Sequence, residues 1–211
     1  HKTLWNKRKL MSIVKLNNRS VKDITAFGSI SSLGSLTHIA TQTASSSASL
    51  NFTSGIDSTY KEYIFYFVNI HPATDNAEFT FQGSTDGGSN YNTTATTTFF
   101  ESYHLENGTS QGLTYQTSFD SAQTTSYFNL IANVGNNDDQ SCSGTLTLYN
   151  PNSSIFVKHF MCDSHNAQGL DRAYRTFVGG YFNDTNDINA VSFKFSSGNI
   201  DSGQILLFGL N

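Results

Sequence analysis

The chain has 211 residues, a formal net charge of −4 and only 13% charged residues. Its 17 Phe and 10 Tyr stand among Ser, Thr, Asn and Gly, with two Pro and few of the residues that favour helices. That composition excludes a helical bundle, and no stretch has the roughly 18 unbroken apolar residues of a membrane helix, so membrane insertion is not expected.

Charge divides the chain from its first residues. HKTLWNKRKLMSIVKLNNRSVKD, residues 1–23, holds seven of the twelve Lys and Arg, while residues 24–211 hold five, against fifteen Asp and Glu. A basic leader of formal charge +6 therefore precedes a body of −10. No apolar core of about 7–15 residues follows the basic residues, so the leader does not read as a secretory signal. Met11 is a candidate initiator, with residues 1–10 upstream of it. From 11 to 35 the apolar residues keep neither a helical nor a strand period. Residues 1–35 are therefore expected to be an extended N-terminal arm, with SSLGSL at 31–36 as its hinge.

Strand follows strand in the body. LTHIATQ (36–42) and ASLNFTS (48–54) come first, then KEYIFYFVNI (61–70), the longest apolar run and the candidate central strand. AEFTFQGS (77–84) alternates, with Phe79 and Phe81 on one face. TDGGSNYN (85–92) is a turn, because Asp-Gly-Gly supplies positive φ without steric cost. Strands are then predicted at 93–104, 112–118, 125–134, 143–150, 155–162, 173–183, 188–197 and 202–210. Short strands at close spacing, with no helical period, predict an all-β fold: a jelly-roll-like β-sandwich over 36–211.

Several strings carry a resemblance: MSIVKLNNRSVKDITAFGSI, YKEYIFYFVNIHPATD, FTFQGSTDGGSNYN, GNNDDQSCSGTLTLYNPNSS, FVGGYFN and FKFSSGNIDSGQILLFGL. Together they resemble a family of short proteins of marine tailed phages, over residues 11–211. The family consists mostly of proteins without assigned function, with suspected virion components of the head surface or tail among them. The KLNNRS opening is similar to the particle-attaching end of phage appendage proteins. The resemblance implies a virion component attached through the arm, with Lys15, Arg19 and Lys22 as anchoring residues.

Candidate chemistry is sparse. Glu101, His104 and Glu106 lie close together, and a carboxylate pair there could serve glycan hydrolysis, but carboxylates at a strand end are ordinarily solvated. There is no nucleophile elbow, phosphate loop or metal-ligand spacing of histidines, so no enzymatic activity and no cofactor are expected. GNNDDQS (135–141) makes Asp138 and Asp139 weak metal candidates, and NDTND (183–187) is similar; Asn and Asp equally build turns. A 143–162 hairpin centred on Asn152 would set Cys142 opposite Cys162, within disulfide reach. Assembly in bacterial cytoplasm starts reduced, so two free thiols are the expectation and the disulfide the alternative. Tyr60, Tyr91, Tyr103, Tyr115, Tyr127 and Tyr174 could stack on sugars, or belong to core and interfaces. The expected function is a phage virion structural protein, either capsid decoration or tail appendage. The alternative is an adhesin for a host surface glycan. Expected partners are other virion proteins and further copies of the chain, a trimer among the forms, at the virion surface. Nucleic acid is not expected, because the acidic body repels phosphates.

Overall fold

The computed structural model describes residues 36–211; the arm expected over 1–35 lies outside the described residues, and with it Lys15, Arg19 and Lys22. The described residues form thirteen strands and no helix. They are β1 (Thr37–Thr43), β2 (Leu50–Phe52), β3 (Glu62–Pro72), β4 (Ala77–Ser84), β5 (Ala95–Leu105), β6 (Gln111–Tyr115) and β7 (Ser121–Thr124). After these come β8 (Phe128–Val134), β9 (Cys142–Tyr149), β10 (Lys158–Gln168), β11 (Arg172–Phe182), β12 (Ala190–Phe195) and β13 (Ile200–Leu210).

Two sheets pack face to face. The large sheet runs β1-β13-β3-β9-β10-β11-β5-β6, with β7 also on β5; the small one runs β2-β12-β4-β8. The pairing is that of one long hairpin rolled up. β1 pairs with β13, β2 with β12, β3 with β9 and β4 with β8, all antiparallel, and the pairs alternate between sheets. β13 against β3 and β12 against β4 close the roll. This is the eight-stranded jelly-roll connectivity. Two insertions widen it: β5–β7 between β4 and β8, and β10–β11 between β9 and β12. Both insertions join the large sheet beside β9, so it extends well past its partner.

Alternation places the core. In β3 the buried side chains are Tyr63, Phe65 and Phe67, and in β4 Phe79 and Phe81. Phe193 of β12 lies between the sheets, with ring centroids 5.0 Å from Phe81, 5.3 Å from Phe65 and 5.4 Å from Phe67. Stacked and edge-on rings at such separations add to the burial of their apolar area.

The hairpin register differs from expectation. Cys142 pairs with Asn166, and Cys162 with Leu146. The β9–β10 turn is therefore centred two residues later than Asn152, and the thiols do not face each other; both are free and buried. The cause is a loop rather than a tight turn: β10 begins at Lys158, not Ile155. Lys158 is fully buried, and its Nζ donates to the carbonyls of Ser153 at 2.6 Å, Phe156 at 3.1 Å and Asp184 at 3.1 Å. The ammonium satisfies all its donors on backbone oxygens and thereby fixes the loop.

Candidate functional site

Wherever the large sheet faces outward, its side chains align in rows across the strands. One row reads Thr41, Leu206, Tyr66, Thr145, Asp163, Phe177, Phe100 and Tyr115. The next reads Phe208, Ile64, Thr147, Met161, Gly179 and Thr98. On the other side lies Ser143, His165, Arg175, Ser102 and Leu113. Large apolar groups stand open to solvent here: Met161 is 61% exposed, Leu113 73% and Tyr115 50%.

A groove of about 440 Å³ crosses β9, β10, β11 and β5 on this face. Gly179 makes its floor; a Cβ there would meet only the Thr98 hydroxyl, at 3.6 Å. Phe177 and Phe100 form one wall as a near-parallel pair, with centroids 5.1 Å apart. Beside them Arg175 grips Asp163 with two bonds, Nε to Oδ1 at 3.0 Å and Nη2 to Oδ2 at 2.7 Å. Its guanidinium lies 4.8 Å from the Phe177 centroid, and the carboxylate holds it more firmly protonated. Such a planar, two-point pair is the best-oriented form of ion pair.

The small sheet's outer face is more polar. Thr80, Asn129, Tyr91, Tyr127 and Lys194 are among the residues lining a groove of about 400 Å³ there. Lys194 sets its ammonium 4.1 Å from the Tyr127 centroid, a cation–π distance.

The inward face of the extension carries buried polar groups. Glu101 is 2% exposed; Gln116 donates to its Oε1 at 2.7 Å, and its Oε2 has no protein partner. Ser164 and Thr176 on neighbouring strands are likewise buried with unpartnered hydroxyls. Burial pushes the Glu101 carboxyl up, opposed by the Gln116 bond and by the charge of Arg172.

The candidate acid–base group weighed from the sequence is dispersed by this geometry. Glu101 points inward, His104 is exposed on the opposite face, and Glu106 lies beyond β5 in an exposed turn. Asp138 and Asp139 are exposed in the β8–β9 loop, which is organised by Asn137 and Gln140: the Gln140 amide donates to the Asn137 carbonyl at 2.8 Å. Asp184 closes an Asx turn, accepting from the Asn186 backbone at 2.8 Å. Among the described residues no three His, Cys, Asp or Glu side chains converge on a metal-sized site. Of the tyrosines, Tyr174 is buried and Tyr115 is half exposed, while Tyr91 and Tyr127 share the small-sheet groove. Sequence reading missed Lys158 and the Asp163–Arg175 pair; the pair's members are twelve positions apart, a spacing that gives no local signal, since only the β10–β11 hairpin brings them together.

The fold and these faces define the chain as a jelly-roll β-sandwich with two laterally extended insertions. No family model, no curated protein and no solved structure matches it.

Proposed function

We propose that the chain is a structural protein of a virus particle, a capsid decoration or tail appendage component, whose basic leader docks on other virion proteins while the jelly-roll body is displayed at the virion surface. The observation that carries this reading is the division of charge, a leader of +6 joined to a compact β body of −10. Opposite charge steers a basic segment to an acidic neighbour, while the body's own charge keeps it from phosphate backbones. The resemblance to marine phage proteins supports the same reading. Quantitative mass spectrometry of purified particles tests it. The chain should co-purify at a fixed copy number. Hundreds per particle identify a decoration, and a few dozen or fewer an appendage. Its absence from particles overturns the proposal.

A second reading, recognition of a host surface glycan, is favoured by one feature: Tyr91, Tyr127, Lys194 and Asn129 around the small-sheet groove. Aromatic rings beside amide and ammonium donors suit a sugar's apolar face and its hydroxyls. Binding on a glycan array that Tyr127→Ala abolishes would support it; an array with no response would remove it.

A further inference from the structure

We propose that the outer face of the large sheet is an interface between two copies of this chain, packed sheet to sheet about a two-fold axis. The inference concerns the body alone and stands whether or not the particle reading does.

Charge is the first ground. The body carries fifteen acidic and five basic residues, so two copies repel each other on approach. The outward rows of the large sheet are different. Across the three rows already described, and the row of Leu210, Glu62, Tyr149 and, further along, Tyr181 and Thr96, the ionised side chains are Glu62, Asp163 and Arg175. Glu62 sits at the rim, and the other two neutralise each other at 2.7 Å. A second acidic body meets no net charge here. Depletion of charge, with Met, aromatics and Arg in its place, is the composition that marks an interface core.

Size is the second. Seven strands from β1 to β5, spaced about 4.8 Å, and seven residues rising about 3.3 Å each cover roughly 650 Å² in projection. Side-chain relief brings this to the order of the 800 Å² per partner that a standard interface buries.

Shape is the third. The face holds both a projection and a recess: Met161, 61% exposed, stands opposite Gly179 in the register, and the groove over Gly179 is open. A surface that carries knob and hole together can complement itself under a two-fold rotation, as an isologous contact requires. Desolvating the Asp163–Arg175 pair costs least when it is already joined by two hydrogen bonds, as it is.

The test uses the full chain in analytical ultracentrifugation at micromolar concentration. The expected species has twice the 23.2 kDa mass of one chain. Met161→Lys should convert it to monomer at concentrations where the wild type is fully dimeric. Gly179→Leu should do the same by filling the groove, and its Cβ fits without strain. Leu170→Lys, at a 60% exposed position on the β10–β11 turn, should leave the dimer intact. An unchanged far-ultraviolet circular dichroism spectrum of the variants shows that the fold is kept, while their melting temperature should fall with the loss of the dimer. A monomeric wild type, an assembly of another stoichiometry, or a dimer that survives both face substitutions overturns the proposal.

Discussion

Lys158 shows how one residue sets the shape of a loop. It alternates in step with Phe160 and Cys162, and so shares their inward face. The alternation in FVKHFMC was readable, but a lysine on the core side of a strand is rare enough that periodicity alone does not suggest it. Burial pushes its pKa down, against the nearby charges of Asp184 and Asp187, and three carbonyls hold the ammonium. Lys158→Met keeps the stem and strips those carbonyls of their donor. It should cost about 3 kcal/mol in urea denaturation, since each buried acceptor left unpaired is destabilising. Glu101 makes a separate prediction. Folding raises its carboxyl above the value it has in the unfolded chain. The folded state therefore holds the proton more tightly, and this contribution is whole below the unfolded value and fades as pH rises through the folded one. Glu101→Gln has no such proton. Its stability relative to wild type should increase from pH 4 to pH 7; a difference that is constant with pH, or that shrinks, contradicts the assignment.

Elements were legible where the side-chain period was strong. The alternation in AEFTFQGS placed β4 at its observed bounds, and the paired apolar runs located β9 and β11 to within a residue. β7 was not legible, because SAQT has no alternation of its own and exists by docking on Ala95 and Thr97 of β5. The β9–β10 register was not legible either: loop length depends on hydrogen bonds from Lys158 to Asp184, distant in sequence. The same logic applies to the flap of β6, its following loop and β7. It is anchored by Phe119, whose ring lies 5.2 Å from that of Phe99, and by the Gln116–Glu101 bond. β6 itself is largely exposed. Phe119→Ala should speed hydrogen exchange across residues 111–124 while leaving β3, β9 and β13 protected, because local opening and global unfolding are separate events. Uniform acceleration over the whole body would show that the flap is part of the cooperative core.

At the scale of the molecule, the sandwich class and twelve of the thirteen strands followed from composition and spacing, but β7 and the pairing of the strands did not. Eight strands pair as one rolled hairpin, and its outermost pair joins residues more than 150 positions apart, such as His38 with Phe208. No local pattern encodes such contacts. The candidate faces share this limit, since the row from Thr41 to Tyr115 draws on eight strands. The charge division, by contrast, is a property of the sequence itself, and the functional proposal rests on it. Incorporation of the full-length chain into particles, with Lys15, Arg19 and Lys22 replaced by Ala, tests that proposal most directly. The variant body should fold as the wild type does, and its copy number per particle should fall. Added salt should mimic the loss in the wild type, because exposed charges are screened beyond roughly 8–10 Å at physiological ionic strength. Particles that carry the triple variant at the wild-type copy number would contradict the account and place the attachment on the jelly-roll body instead.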